Sequence, residues 1–468
     1  MYCLQEPIDN ECANMITGRK KIKRYLAGML LVLLYGHPCI AQTADSARRS
    51  PWSVHFQLTV INQKHTAFKS AYQGMNSLAD TVEPGATSIT TTIFAGRKLW
   101  KRAAVYFDPE LSGGRGLSDA LGVAGALNGE TYRIGDPSPV VTVARAYLQQ
   151  TIPLGHDDSI QVRDDANQVA GNVPSSRITV TAGKFSMSDF YDRNSYSHDP
   201  RSQFLNWSLM SNGAWDYPAN TKGYTMGLVV ELTRPEWALR LSSVAVPRIA
   251  NHSEMEYVFG KAHAETAEFE QQLHIGRRSG ILRLLLSHTA SRAPSYKEGM
   301  TALTDHDTTL LQVISGNALA TSYGGHKTGI GLNLEQPLSA TTGLFARAGW
   351  NDGKDATWAF TEIDQTIQGG LSINGTRWKR PQDNAGMAAV INGISAGHRA
   401  FLKAGGYGFI IGDGRLDYGY EEVLEAYYNA RLFDKAWATV DYQFVNHPAY
   451  NKDRGPVHVF AIRGHIEF

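Results

Sequence analysis

Along most of this chain, apolar and polar side chains alternate one by one. In SVHFQLTVI (Ser53–Ile61), Val54, Phe56, Leu58 and Val60 interleave with His55, Gln57 and Thr59. RITVTAGKF (Arg177–Phe185) and GYTMGLVVEL (Gly223–Leu232) repeat the pattern, as do ILRLLLSH, GLFARAGW, WATVDYQF and VHVFAIRGHIEF. Strict alternation means a strand with one apolar and one polar face. The segments run about ten to twelve residues. That is long for a soluble sheet, where roughly five or six is usual, but it suits a tilted membrane strand of about nine to eleven.

The links between segments alternate in length. Short ones include Arg97–Lys101, Arg234–Glu236, Gly276–Gly280, Pro337–Thr341 and Phe433–Ala436. Long ones include Asn62–Gly85, Ser112–Pro139, Met187–Thr221, Pro247–His263 and Arg292–Gly324. Short turns at one rim and long loops at the other describe an outer-membrane barrel. Ile152–Ser175 breaks the rule, being a long link where a short turn is expected. The fold expected is therefore all-β: a transmembrane antiparallel barrel of about sixteen strands over residues 53–468, with long extracellular loops. Lipid offers nothing to backbone N–H and C=O groups, so a sheet within it must close on itself. Trp100, Tyr106, Phe107, Trp237, Trp350, Trp358 and Trp437 stand near strand ends and are expected in an aromatic girdle. The final strand keeps Phe460, Ile462, Gly464, Ile466 and Phe468 on one face and stops on an aromatic residue, the address expected for the outer-membrane assembly machinery.

The first residues point to export. GRKKIKRY (18–25) is basic, Leu26–Gly36 is apolar but too short to span a bilayer, and Cys39-Ile40-Ala41 places small side chains before a cleavage site after Ala41. Residues 1–41 thus read as a signal peptide, with Met15 as an alternative start, and 42–52 as a short periplasmic segment. All three cysteines, Cys3, Cys12 and Cys39, fall in this leader, which removes disulfides and thiolate chemistry from the mature chain. The leader carries five basic and three acidic residues, so its loss takes the formal charge from +1 to about −1. A nucleic-acid partner, which needs a basic face, is not expected.

Several blocks are recognisable as sequence. GHRAFLKAGGYGFIIGDGRLDYGYEEVLEAYY (Gly397–Tyr428) and TVDYQFVNHPAYNKDRGPVHVFAIRGHIEF (Thr439–Phe468) resemble the end of carbohydrate-selective porins of the OprB family. Gly183–Leu228 resembles their central block, and Asp108–Glu130 an earlier one; Ile249–Thr357 matches less well. The resemblance implies a sixteen-stranded monomeric barrel in a Gram-negative outer membrane, passing monosaccharides such as glucose by diffusion.

Met187–Thr221 is the third outer loop, the one that commonly folds into the lumen of porin-like barrels. Its Asp189, Tyr191, Arg193, Asp199, Arg201, Trp207, Trp215 and Asp216 are the expected constriction. Carboxylates and guanidinium groups engage sugar hydroxyls in pairs, and aromatic rings cover the C–H face. Each has a plainer reading: Trp207 with Phe204 and Leu209 as packing, Asp216 with Arg201 as an internal ion pair. On the inward phase of the strands, Arg145, Arg240, Arg283, Arg347, Glu425 and Arg463 are expected to line the pore. Mixed signs suit a neutral polar solute more than an ion of one sign.

The alternatives are a general or anion-preferring diffusion channel and, further off, a barrel enzyme acting on lipid. The enzyme needs an aligned Ser–His pair, and Ser287 and His288 sit on opposite faces of one strand. The chain is too short for a twenty-two-stranded receptor with a plug. No nucleotide, thiol or zinc motif is present, and no cofactor or metal is expected. The expected partners are small sugars, outer-membrane lipid and lipopolysaccharide, and the assembly machinery through Phe468.

Overall fold

A computed structural model of the chain describes residues 50–131, 138–155 and 158–468. The expected leader, its cleavage site and the alternative start at Met15 lie outside the described residues.

The strands begin with β1 (Trp52–His65), β2 (Ala86–Lys98), β3 (Ala103–Gly114), β4 (Val140–Pro153), β5 (Ser159–Val162) and β6 (Gly171–Pro174). They continue with β7 (Arg177–Phe185), β8 (Thr225–Thr233), β9 (Trp237–Val244), β10 (Val246–Pro247), β11 (Met255–Glu256), β12 (His263–Ile275) and β13 (Arg278–Ser291). The last are β14 (Gly325–Pro337), β15 (Thr342–Asn351), β16 (Gln365–Asn374), β17 (Asn384–Gly393), β18 (Glu421–Phe433), β19 (Ala436–Asn446) and β20 (Val457–Glu467). Sixteen of them form one closed antiparallel barrel, while β5–β6 and β10–β11 are separate two-stranded pairs. β20 returns to β1 in register from Gln57 opposite Glu467 to His65 opposite Val459. The terminal Phe468 closes the seam, accepting from the Phe56 amide at 3.1 Å and donating to the Phe56 carbonyl at 2.9 Å.

The burial pattern is that of a soluble protein turned inside out. On the outward phase Leu286 is 50% exposed and Ile462 66%, with Leu282, Leu284, Ile330, Leu332 and Val440 beside them. On the inward phase Gln57, Thr59, Glu110, Glu268, Arg347 and Glu425 are buried. An exposed apolar belt of this size has no place in water but is what hydrocarbon requires. No helix among the described residues is long and apolar enough to cross a membrane; the strands do the crossing.

Of the expected girdle, Trp100, Phe107 and Trp350 stand outward and exposed. Trp237 shares their phase, its ring 6.1 Å from that of the outward Phe269. Three assignments need correction. Tyr106 is buried on the inward face, 4.9 Å ring to ring from Tyr147. Trp437 also points inward, against His465. Trp358 belongs to the outer loop 352–364, where its indole donates to the Pro247 carbonyl at 2.6 Å. Proximity to a strand end did not reveal which face each ring would take.

The rim that carries Trp52 and Phe468 has the short turns, apart from the insertion holding β5 and β6. The opposite rim has the long loops. There, helices Tyr296–Asp305, Thr308–Ile314 and Ala396–Lys403 start on the N-caps Ser295, Asp307 and Ser395, whose side-chain oxygens accept the first free amides. Tyr296 stacks on His398 at 4.2 Å and packs against Phe401, joining the first helix to the third.

Candidate functional site

The third outer loop, residues 186–224, folds into the lumen. It opens on a short helix, Met187–Asp189, in which Ser186 and Asp189 exchange capping bonds. Further on, Asn206 caps the single turn Trp207–Met210. Such a loop carries many polar backbone groups into the barrel, and each needs a partner. Wall side chains supply them. The Glu425 carboxylate (β18) accepts from the Leu205 and Asn206 amides, the latter at 2.9 Å. Arg463 (β20) donates to the Pro200 and Gln203 carbonyls at 2.7 and 2.8 Å. Arg347 (β15) donates to the Asp192 carboxylate at 3.0 Å and the Leu209 carbonyl at 3.2 Å. Glu268 (β12) accepts from the Asp192 amide at 2.7 Å, and Gln368 (β16) donates to the Ser211 carbonyl at 2.7 Å.

Two wall glycines make room for the loop. A Cβ on Gly331 would lie 2.4 Å from Asn212 Nδ2, and one on Gly349 would lie 2.0 Å from Asn212 Oδ1. A larger residue at either position would displace the Asn212 side chain from its seat against the wall. Aromatic packing completes the seat: Trp207, Tyr217 and Phe360 stack with centroids 4.9–5.5 Å apart. Asp216 accepts the amides of Trp358, Ala359 and Phe360 at 2.9, 3.1 and 2.7 Å, fastening the loop to its neighbour.

On the side of β4, β7, β8, β9 and β12 the lumen stays open. A cavity of about 850 Å³ lies there, bounded by Ser188, Asp189, Phe190, Arg193 and His198 of the loop and by Tyr147, Gln149, Thr179, Glu231, Arg240 and Glu270 of the wall. Its charged lining is mixed: Asp165, Asp189, Glu231, Glu236 and Glu270 against Arg177, Arg193, Arg234 and Arg240. Several of these charges are paired. Arg240 meets Glu231 at 2.9 Å, Glu268 at 2.9 Å and Glu270 at 3.1 Å. Arg145 grips Asp189 with two bonds, 2.7 and 2.6 Å. Burial raises the Asp189 pKa, but the Arg145 fork overrides it and holds the carboxyl below the ordinary range. His198 is pushed down by burial first and by Arg347 second, which leaves it neutral at pH 7.

The fourteen side chains expected at the site thus divide. Asp189, Arg193 and Arg240 border the cavity. Arg145 stands behind Asp189, between it and Asp108. Arg283 is buried between Glu270 and Glu335. Arg201 is held by Glu110 at 3.4 Å and Glu130 at 3.3 Å rather than by Asp216. Asp199 turns back on its own segment, accepting from the Arg201 amide and Ser202 Oγ. Burial raises its pKa, but the Arg201 guanidinium together with the hydrogen bonds from Ser202 and the Arg201 amide brings it below the usual range. Tyr191, Trp207, Trp215 and Asp216 are buried in the packed part of the loop, and Arg347, Glu425 and Arg463 are buried under it.

Two contributors were not foreseen. Residues 117–131 of the second outer loop dock on the third: the Trp207 amide donates to the Ala126 carbonyl at 3.0 Å, and Gly129 to Leu205 at 2.7 Å. Glu421 supports that docking by accepting the Ala124 and Gly125 amides at 2.8 and 2.7 Å. The available signal was compositional. ALGVAGALNGE (Ala120–Glu130) is too apolar for a loop that meets only water.

A closed sixteen-stranded barrel with an apolar outer belt, a polar lumen and an inward third loop is an outer-membrane diffusion channel. The model of the carbohydrate-selective porin OprB family matches residues 91–468, and the chain belongs to that family. It is a sugar-selective channel of the Gram-negative outer membrane. The chain is similar in fold to the high-pH structure of Pseudomonas putida OprB, with 15% identity over 89% of this chain and 94% of that one and a TM-score of 0.63. Lower similarity is found to the Acinetobacter baumannii outer-membrane channel DcaP, with 11% identity, 89% and 97% coverage and a TM-score of 0.47. No curated protein matches the chain.

Proposed function

We propose that the solutes are single neutral sugar rings, and that they pass beside the third loop through the cavity bounded by Asp189, Arg193 and Arg240. The observation that carries this reading is the balance of charge there. Five acidic and four basic side chains border the opening, and Arg240 and Asp189 are already neutralised by partners. A wall of this kind offers paired donors and acceptors to hydroxyl groups without a net field that would draw ions of one sign. Tyr147 and Phe190 add ring faces suited to C–H groups.

The chain is inferred to reach its membrane by export through residues 1–41, and to be recognised by the assembly machinery through Phe468. Lipid and lipopolysaccharide surround its belt. The solute reading is tested by swelling of liposomes that carry the refolded protein. Glucose is expected to enter faster than gluconate, an anion of similar size. Equal rates would make this a general porin, and faster gluconate an anion channel.

A further inference from the structure

The insertion between β4 and β7 does not hang in the periplasm. Its ends are clasped, Ser175 donating to the Asp158 carbonyl at 2.9 Å and Leu154 to Ser176 at 2.9 Å. β5 and β6 then carry the chain as a hairpin across the periplasmic mouth to strands it does not adjoin in the barrel. Ser53 Oγ of β1 donates to the Asp165 carbonyl at 3.2 Å, and His55 lies 3.5 Å from Asp164. Lys98 of β2 donates to the Ala170 carbonyl, and Val169 is buried against the inward Tyr106 of β3. A Cβ on Gly96 would come within 3.0 Å of the Val169 side chain, so the wall is thinned where the hairpin crosses it.

The tip therefore stands between two openings. The cavity beneath the third loop lies on one side. On the other, an opening of about 280 Å³ is bordered by His55, Gln57, Phe94, Trp437 and Phe468. Asp165 and Ala166 border both. We propose that residues 159–174 form a second, exit-side filter in series with the third loop, and that the cavity between them is a chamber a small polyol must cross. This rests on the sugar-channel reading for the identity of the solute, but not for the obstruction itself. An ordinary short turn would leave the mouth as wide as the barrel. Here a polar strap edged by Gln168 and Asn167 lies in it.

The clasp makes the test practical, because Asp158 and Ser175 already stand at hydrogen-bond distance. Residues 159–174 are replaced in the full chain by Asn-Gly, a two-residue hairpin turn. With the heat-resistant folded band retained, single-channel conductance in potassium chloride is expected to rise about twofold. Disaccharide swelling relative to monosaccharide is expected to rise as well, while the preference for glucose over gluconate stays. A folded deletion variant with unchanged conductance overturns the filter. A failed glucose preference in both proteins overturns the solute reading but leaves the conductance result to judge the filter. Should the deletion not fold, Gln168→Cys is treated with a charged thiol reagent after purification. Conductance is expected to fall by about half, with the treated parent chain and treated Ala340→Cys, in the exposed turn between β14 and β15, unchanged. No fall at position 168 overturns the proposal.

Discussion

The lumen has two halves built from the same sequence pattern and put to different uses. Beneath β14 to β20 the inward side chains meet a loop: Arg347, Glu425 and Arg463 spend their hydrogen bonds on its backbone and carboxylates. Along β4 to β12 many inward side chains meet open space and one another, as Arg240 does with Glu231 and Glu270, although Arg145 and Glu268 also hold the loop. An arginine on the inward phase can therefore clamp the loop, as Arg347 and Arg463 do, or border the passage, as Arg240 does. Alternation assigns a face; only the course of the loop assigns a role.

The comparison is broken most severely by removing a clamp. Arg347→Ala leaves the buried Asp192 carboxylate without its cation, a loss of about 3–5 kcal/mol in comparable buried pairs. The folded band should melt at clearly lower temperature on gels and conductance should rise as the loop loosens. An unchanged melting point would show that Arg347 is not holding the loop. Acid is expected to act next. Within the outer loops, burial raises the Asp364 pKa, but the bond from His398 at 3.2 Å and that ring's charge hold it below the ordinary 3.8. A depressed carboxyl contributes stability above its unfolded pKa and loses it as pH falls through the folded value. Order in loops 352–364 and 395–404 should thus persist at neutral pH and fail in acid below 3.8. Asp364→Asn should weaken these loops at pH 7 and flatten the acid profile, read by limited proteolysis. The smallest effect on stability belongs to the open half. Arg193→Ala, at an exposed cavity-bordering position, should shift melting by no more than about 0.5 kcal/mol while changing the glucose-to-gluconate ratio. A large loss of stability would move Arg193 into the clamp group.

Much of this was legible in the sequence. Period-two segments such as Gly325–Pro337 and Val457–Glu467 fix which side chains face lipid, and the exposed Ile330 and Ile462 follow. The alternating link lengths marked residues 187–221 as the third loop. What the pattern did not carry was contact across the lumen. Arg201 is separated from Glu110 by 91 positions and Arg347 from Asp192 by 155, and nothing local pairs them. For Trp207 and Trp215 the sequence leaves both readings open, because aromatic rings suit a sugar's C–H face and a packed core alike. Trp207 stacks on Phe360 from a different loop, and Trp215 packs against Tyr191 and Tyr217. Gly331 and Gly349 were visible inside GIGLNLEQ and GLFARAGW, but only the position of Asn212 explains them.

At the centre of the account is a loop clamped in the lumen that leaves a narrow, charge-balanced passage. The most direct measurement is the swelling rate of protein-bearing liposomes across a neutral series of mono-, di- and trisaccharides. A steep drop between the first and second members is expected; rates that decline only as bulk diffusion would, through the trisaccharide, would contradict it.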